Sequence, residues 1–303
     1  MPKRILVTGG GRGLGRGAAV QLAKAGHHVL LTARTEAAGA AIIAEVKAVK
    51  PDAHVEARVL DLAAFASIRA FAAGLPFTER FDVIVHVAGV MQQSPSRRCS
   101  ADGFEETLAV NALAPFLLTH ELLGKVGGGD GPGRIVCVSS RLHLPDSRGA
   151  PVRYDFDDPN LEREYEPNRA YKNSKLALLW FAFELARRTP KERFTVHGMC
   201  PGFVPETAAA STTGFMNLVM RFVMPRMPFA TSRSDAVDSI CFTATDPSLD
   251  ATTGGFWAEK QPSAASAQAH DLADAKRFFD WACDATRTGP WPEALSRRRA
   301  AHE

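Results

Sequence analysis

Short runs of apolar residues alternate along the chain with longer stretches in which apolar positions recur every three or four residues. The short runs are rich in valine and isoleucine and predict buried β-strands. The longer stretches predict amphipathic helices. Strands are predicted at residues 5–7, 29–32, 55–59, 83–85, 135–138 and 195–196, and helices at about 15–25, 35–50, 63–73, 103–123 and 169–188.

This alternation of strands and helices predicts the fold class. Strands separated by helices form a parallel sheet with helices on both faces, and right-handed crossovers make it a doubly wound α/β sheet of the Rossmann type. We expect a single domain over residues 1–303. Within it we expect a helical substrate lid at about 204–230 and a C-terminal helix and tail at about 270–303.

Composition and charge narrow the range of functions. Hydrophobic residues make up 46% of the chain, and the net charge of +3 is too small to indicate nucleic-acid binding. The apolar runs are too short for a transmembrane helix, and the chain enters a predicted strand at Ile5, which leaves no room for a signal peptide. We therefore expect a soluble protein with a small-molecule substrate.

The five cysteines indicate a reducing compartment. Their number is odd and no pair has the C-x-x-C spacing, which argues against a disulfide framework and a structural zinc site. Histidines and carboxylates also lack metal spacings such as H-E-x-x-H. The chain is therefore expected to be cytoplasmic and to hold no metal.

A glycine-rich turn follows the first strand, where residues 8–15 read TGGGRGLG. Gly9, Gly13 and Gly15 allow the backbone to turn sharply and to approach a pyrophosphate without a Cβ clash. Leu14 lies at the start of the next helix, whose free N–H groups and dipole favour an anion. A glycine run between a strand and a helix predicts a dinucleotide-binding site.

Two arginines indicate which dinucleotide binds. Arg34 stands at the end of the second strand, where NAD-binding sites place an acidic residue, and Arg12 lies within the glycine run. Two guanidinium groups match the 2′-phosphate of NADP(H), whereas a carboxylate repels it. The sequence therefore favours NADP(H) over NAD(H). Glu36, two residues after Arg34, is the alternative ribose ligand and favours NAD(H).

Tyr171 and Lys175 are candidates for acid–base chemistry. They are four residues apart in a predicted helix, so both side chains point to one side of it. An ammonium group beside a phenol favours the phenolate and lowers a pKa that is otherwise near 10. Ser140 follows the fifth predicted strand and can donate a hydrogen bond to a substrate oxygen. It is not in a G-x-S-x-G motif, which argues against a serine hydrolase.

The glycine-rich turn, Ser140 and the Tyr171–Lys175 pair follow one another along the chain in the order found in the short-chain dehydrogenase/reductase superfamily. The chain resembles this superfamily over essentially its whole length. The resemblance implies that Tyr171 is the acid/base and that Lys175 anchors the ribose and lowers the tyrosine pKa. It implies that Ser140 orients the substrate and that Asn111 holds a proton-relay water. Many relatives assemble into dimers or tetramers, so a homodimer or homotetramer is expected.

The resemblance also implies further cofactor contacts. Asp61 and Leu62 match the acidic–apolar pair at the adenine, and the P-G turn after the sixth strand matches the nicotinamide side. A narrower resemblance, to the retinol dehydrogenase and protochlorophyllide oxidoreductase branch, rests on NALAPFLLT from 111, AYKNSKL from 170 and PGFVPET from 201. The remaining cofactor contacts expected from the family pattern are Ala88, Gly89, Pro201, Gly202 and Val204.

The chain departs from the family pattern in two places. The N-N-A-G motif reads HVAG from His86, so Val87 replaces an asparagine that braces the central strands, and we expect other groups to supply that support. An acidic insertion at 147–168 separates Ser140 from Tyr171 and is expected to form one wall of the substrate cleft. His143 is expected to be an ordinary loop histidine, with a substrate contact as the alternative.

The segment 207–229 is rich in methionine and phenylalanine. It is expected to be an apolar substrate lid, a helix packed on the core or on another subunit, or a membrane-surface contact.

The function favoured by the residues is NADP(H)-dependent interconversion of a carbonyl and an alcohol on a bulky apolar molecule. The alternatives are reduction of a conjugated C=C bond and a non-catalytic NADP(H)-sensing protein.

Overall fold

The computed structural model describes residues 1–127, 131–209, 217–288 and 291, with the main chain alone at 208–209. Within these residues the strands are β1 (Arg4–Val7), β2 (His28–Ala33), β3 (Val55–Val59), β4 (Val83–His86), β5 (Gly133–Val138), β6 (Phe194–Cys200), β7 (Gly255–Ala258) and β8 (Gln261–Pro262). They form one sheet in the order β3-β2-β1-β4-β5-β6-β7-β8. Neighbouring strands are parallel except for β7 and β8, which are antiparallel.

The helices connect these strands. The α-helices of the described residues are α1 (Gly13–Lys24), α2 (Glu36–Val49), α3 (Phe65–Ala73), α4 (Glu106–Leu108), α5 (Ala114–Leu122), α6 (Pro167–Arg188), α7 (Pro205–Ala209), α8 (Arg233–Thr245) and α9 (Leu272–Thr286). A π-helical turn, Ala109–Leu113, joins α4 to α5 without a break.

The sheet is buried on both faces because successive strand residues point in opposite directions. In β1, Leu6 belongs to a core cluster with side chains of α3, α5, α6 and α9. Its neighbours Ile5 and Val7 belong to a second cluster with side chains of α1, α2 and α8. Both cores have apolar side chains that are almost fully buried. This is the doubly wound α/β fold that the sequence predicts.

The strand order reverses between β1 and β4, since β2 and β3 extend to one side of β1 and β4 to β8 extend to the other. Parallel sheets of this kind bind ligands in the crevice at such a reversal, beyond the carboxyl ends of the strands. The glycine-rich turn after β1 and the residues after β4 meet at this point. The fold therefore places the candidate site at the carboxyl edge of the sheet.

The predicted strands and helices are confirmed, and the elements missed lie near the C-terminus. The sequence analysis did not identify β7, β8 or α8. A local signal for α8 was present, since Ser232 caps it by accepting from Asp235 N at 3.1 Å. Of the predicted lid and tail, residues 210–216, 289–290 and 292–303 lie outside the described residues.

One helical stretch of the described chain, Glu106–Lys125, is long and apolar enough to span a membrane by length and composition. In the structure 83% of its apolar window is buried inside the molecule. The central helix of a soluble core has the same composition, because it too is covered by apolar side chains. The stretch packs against α3 and α6.

Candidate active site

The glycine-rich turn fits a dinucleotide phosphate. Gly9 has a φ of +66°, and a Cβ built there would lie 2.9 Å from the Cα of Ala88. A Cβ at Gly15 would lie 2.3 Å from the carbonyl oxygen of Gly9. Arg12 precedes α1 without any side-chain cap, so the first-turn N–H groups of α1 are free to bind an anion. The turn thus excludes side chains and presents donors, as a pyrophosphate site requires.

Thr8 ties the glycine turn to the chain that follows β4. The hydroxyl oxygen of Thr8 accepts from Val87 N and Ala88 N, both at 3.2 Å, and Thr8 N donates to the carbonyl of Val85 at 3.0 Å. The glycine turn is therefore tied to the end of β4 through one hydroxyl group. The expectation that other groups supply the support of the missing asparagine stays a prediction.

His86 occupies the other altered position of the same motif and is buried. Its Nε2 lies 2.9 Å from the hydroxyl of Thr119. Burial lowers the pKa of His86 to about 3, so the imidazole is neutral at physiological pH. The side chain acts as an uncharged brace between β4 and α5.

The adenosine end of the site is open and basic. Arg12 and Arg34 are both exposed, and neither forms an ion pair with any residue that the structure describes. Glu36 begins α2 and is exposed as well. Next to these, Asp61 is exposed and its carboxylate accepts from Ala63 N at 2.9 Å, while Leu62 is buried. The structure thus leaves both guanidinium groups available to a ligand.

Asn111 lies in the π-helical turn between α4 and α5 and is fully buried. Such turns inside α-helices occur frequently at functional sites. Its amide nitrogen donates to the carbonyl of Val90 at 2.9 Å and to the hydroxyl of Ser174 at 3.0 Å. Its amide oxygen accepts from Val90 N at 2.8 Å. These bonds fix Asn111 between the loop after β4 and α6.

The ammonium of Lys175 and the amide oxygen of Asn111 both lie next to Gly89. A Cβ built at Gly89 would lie 3.3 Å from Lys175 Nζ and 3.4 Å from Asn111 Oδ1. Gly89 is exposed, whereas the two side chains are buried. Gly89, which ends the altered N-N-A-G motif, therefore lies next to both polar side chains and places only its backbone over them.

Ser140 and Tyr171 meet beyond the end of β5. Ser140 caps a short 3-10 turn, Arg141–His143, and its hydroxyl accepts from Leu142 N at 3.2 Å. Burial raises the pKa of Tyr171 to about 12, and a hydrogen bond with Ser140 opposes that rise. The phenol is therefore protonated at neutral pH and next to the serine, which suits the donor of a proton.

Lys175 is buried, and its Nζ donates to the carbonyl of Val138 at 3.0 Å. Burial lowers the pKa of Lys175 to about 8. We predicted that this ammonium lowers the pKa of Tyr171; in this structure burial has the larger effect on that pKa and acts in the opposite direction. The ammonium lies 5.6 Å from the centroid of the Tyr171 ring and is bonded to a carbonyl, so desolvation dominates at the phenol.

The turn after β6 brings Pro201, Gly202 and Val204 to the same edge of the sheet. Gly202 has a φ of +84°, and a Cβ there would lie 2.0 Å from the hydroxyl of Thr231. Thr231 N donates to the carbonyl of Phe203 at 2.7 Å. The close approach of residues 202 and 231 closes the base of the segment that the sequence predicts as a lid.

His143 differs from the ordinary loop histidine that we expected. It is fully buried, its Nδ1 contacts the carbonyl oxygen of Ser140, and its ring packs edge-on against Phe256 at 5.1 Å. Burial lowers its pKa. The side chain of His143 supports the turn that carries Ser140. The signal for this role in the sequence was its position three residues after that serine.

The insertion at 147–168 packs against the start of α4. Asn160 accepts from Glu105 N through its side chain at 2.6 Å and from Arg97 through its backbone at 2.9 Å. Tyr154 and Phe156 pack on Trp180 of α6. The insertion is thus anchored to the helices that carry Asn111 and Tyr171.

Across the described chain, no group of three or more potential metal-ligating side chains is present.

Comparisons with known proteins identify the family of this chain. A family model described as short chain dehydrogenase matches residues 3–151. Human retinol dehydrogenase 11 is 34% identical over 285 residues, which are 93% of this chain and 85% of that protein. The chain therefore belongs to the short-chain dehydrogenase family, in the branch that contains the retinol dehydrogenases. It is an oxidoreductase of a family that binds NAD(P).

Solved structures show the same fold. An uncharacterized protein from Mycobacterium paratuberculosis superposes with a TM-score of 0.72 at 27% identity, covering 96% of this chain and 95% of that one. RhlG of Pseudomonas aeruginosa, solved as an NADP active-site complex, superposes with a TM-score of 0.64 at 23% identity over 84% of this chain and 94% of its own.

Proposed function

We propose that this protein interconverts a carbonyl and an alcohol on a bulky apolar molecule, using NADP(H). The observation that carries the proposal is the meeting of Ser140, Tyr171 and Lys175 at the carboxyl edge of the sheet, beside the glycine turn. The Tyr171 phenol is protonated at neutral pH, and the hydrogen bond with Ser140 opposes the rise of its pKa, so the pair can hold a carbonyl oxygen and give it a proton.

The arginines at the adenosine end support NADP(H). Arg12 and Arg34 are exposed, without ion pairs among the described residues, and a 2′-phosphate is the ligand that would pair with both. RhlG binds NADP, but its likeness to this chain concerns the fold. The choice of NADP(H) over NAD(H) therefore rests on the two guanidinium groups.

The glycine turn would hold the pyrophosphate of the cofactor, and the nicotinamide, when bound, would supply a hydride to the carbonyl carbon. Ser140 holds the carbonyl oxygen by a hydrogen bond. The Tyr171 hydroxyl gives its proton to that oxygen, so the C=O bond becomes an alcohol C–O–H. In alcohol oxidation the same groups act in reverse, and Tyr171 receives the proton.

Lys175 and Asn111 serve the proton transfer without touching the substrate carbon. Lys175 stays cationic below its lowered pKa of about 8 and favours the phenolate that forms once Tyr171 has given its proton. Asn111 is held by Val90 and Ser174 and, by family resemblance, positions the water through which Tyr171 is reprotonated. A role for Lys175 in anchoring the ribose follows from the same resemblance.

The apolar substrate is proposed from the methionines of the segment after β6. Met220 and Met224 are half-buried and four residues apart. Methionine adapts to irregular apolar ligands. The similar proteins named retinol dehydrogenases also suggest an apolar alcohol or aldehyde. A cytoplasmic location and a homodimeric or homotetrameric assembly stay predictions.

The experiment is an NADPH oxidation assay with three aldehydes: retinaldehyde, a long-chain alkyl aldehyde and glyceraldehyde as the small polar control. We expect turnover of the apolar aldehydes well above that of glyceraldehyde, with the alcohol as the product by mass spectrometry. A product saturated at a C=C bond would identify a C=C reductase instead. Tight NADPH binding with no turnover of any carbonyl would identify a sensor.

A further inference from the structure

Residues 217–229, here called the apolar segment, expose an unusual amount of hydrophobic surface. The described part has a π-helical turn, Val219–Val223, and a 3-10 turn, Met224–Arg226, and neither buries a residue. Val219, Met220 and Met224 are half-buried, and the other residues of these turns are exposed. The large apolar side chains exposed are Leu218 (55%), Phe222 (57%), Val223 (52%), Met227 (40%) and Phe229 (59%).

The apolar segment is also basic. It holds Arg221 and Arg226, both exposed, and no aspartate or glutamate. In a two-fold symmetric dimer a surface patch pairs with itself, so a self-association through this segment would bring like charges together. The charge instead matches an anionic partner. Arginine stems also lie along apolar surface while their charged ends stay in water.

The exposed apolar side chains lie on and beside two short turns. Each of Leu218, Phe222 and Phe229 exposes more than half of its surface to solvent. Peptides that bind apolar surfaces use a groove with walls. Bulky apolar side chains flanked by cations suit insertion at the boundary between lipid headgroups and acyl chains.

The location of the apolar segment connects it to the active site. It ends where Ala230 pairs with Phe203 in an isolated β-bridge, directly after the turn at Gly202. Phe229 packs on Phe203 with ring centroids 6.1 Å apart. A surface that holds this segment therefore also holds the mouth of the candidate active site.

We propose that the apolar segment docks the protein on the surface of an anionic membrane. Leu218, Phe222 and Phe229 insert below the headgroups, and Arg221 and Arg226 pair with anionic lipid. A docked protein could take an apolar substrate from the lipid into the candidate active site. This consequence rests on the proposed function, whereas the docking itself does not.

The test is co-sedimentation of the purified full chain with two kinds of vesicle, phosphatidylcholine alone and equal parts of phosphatidylcholine and phosphatidylserine. We expect binding to the mixed vesicles that weakens as salt is added, because the arginine contribution is screened. Changing Arg221 or Arg226 to Gln is expected to lower the partition coefficient about fivefold each. Binding is measured without NADPH or substrate, so failure of the proposed reaction leaves the result intact.

The decisive variant is Phe222→Asp, expected to lower vesicle binding at least about tenfold because an inserted aromatic is lost and a charge added. The matched control is Phe77→Asp, which changes a phenylalanine that is 88% exposed outside the apolar segment. The control is expected to bind vesicles like the unchanged protein. Unchanged NADPH affinity and thermal unfolding show that both variants are folded.

Three results would overturn the proposal. The first is an absence of binding to the mixed vesicles at low salt. The second is equal loss of binding in Phe222→Asp and Phe77→Asp. The third is an oligomer, seen by sedimentation equilibrium without lipid, that Phe222→Asp dissociates, since the segment would then be an interface between copies of this chain.

Discussion

The two ends of the candidate site are built in opposite ways. At the catalytic end, Asn111 and Lys175 are buried, and hydrogen bonds to other parts of the chain hold both side chains in place. At the adenosine end, Arg12 and Arg34 are exposed and free of ion pairs among the described residues. The same edge of one sheet carries both arrangements.

The difference reflects what each end has to do. At the catalytic end, burial raises the pKa of Tyr171 to about 12 and lowers that of Lys175 to about 8, so the protonation of both groups depends on how they are packed. Recognition of a phosphate needs donors that are not already occupied. A single substitution at the catalytic end is therefore expected to lower turnover strongly. A substitution at the adenosine end is expected to change cofactor affinity by a moderate factor.

The largest effect is expected for Tyr171→Phe. Removal of the proton donor should lower kcat by about 10³-fold, while the Kd for NADPH changes little. Stopped-flow or steady-state NADPH oxidation measures the first and fluorescence titration the second. Tyr154→Phe is the control, since the Tyr154 hydroxyl is buried without a hydrogen-bond partner among the described residues. Full turnover of Tyr171→Phe would contradict the mechanism.

Acid should destabilise the protein through histidines buried in neutral form. Burial lowers the pKa of His86 to about 3 and that of His197 to about 4, from 6.5. Below pH 6.5 the unfolded chain therefore binds protons that the folded chain does not, and stability falls with pH, by roughly 2 kcal/mol per histidine at pH 5.

Urea unfolding at pH 7 and pH 5 measures this loss. In His86→Asn, which introduces the family's residue, about half of the combined dependence should disappear. His54→Asn, at an exposed histidine, should leave the dependence as it was. If the two variants respond to acid alike, the buried-histidine explanation is wrong.

Thr8→Val tests the brace between the glycine turn and β4. The substitution keeps the shape and removes the acceptor of Val87 N and Ala88 N, which should cost about 2 kcal/mol in the free energy of unfolding. The Kd for NADPH should rise as well, because the turn loses its anchor. Thr195→Val, whose buried hydroxyl has no hydrogen-bond partner among the described residues, should be neutral or stabilising. Equal effects would contradict the role given to Thr8.

The smallest effect is expected at the adenosine end. Arg34→Ala should raise the Kd for NADPH about tenfold, since one exposed charge-assisted contact is lost, and should leave the Kd for NADH nearly unchanged. Isothermal titration with both cofactors measures the two constants. Arg80→Ala removes an exposed arginine before β4, at the other edge of the sheet, and serves as the control. An equal weakening for both cofactors would mean that Arg34 does not contact a 2′-phosphate.

Much of this architecture follows from the sequence alone. The short apolar runs between helical stretches predict a parallel sheet with helices on both faces, because strands buried on both faces need apolar residues at every position. The glycines of residues 8–15 predict the phosphate turn, since only glycine tolerates the close approach seen at Gly9 and Gly15. The spacing of Tyr171 and Lys175 places both on one side of a helix.

Contacts between distant parts of the chain decided the rest. The hydroxyl of Thr8 binds the backbone of residues 87 and 88, almost eighty positions further along the chain, and no spacing within the sequence predicts this contact. The direction of the tyrosine pKa depends on how much of the phenol is buried and where the Lys175 ammonium points, which are properties of packing. The exposure of Phe222 is likewise set by what the surrounding chain leaves uncovered. Periodicity and spacing act over a few residues, whereas desolvation and hydrogen-bond partners are fixed only when the whole chain has folded.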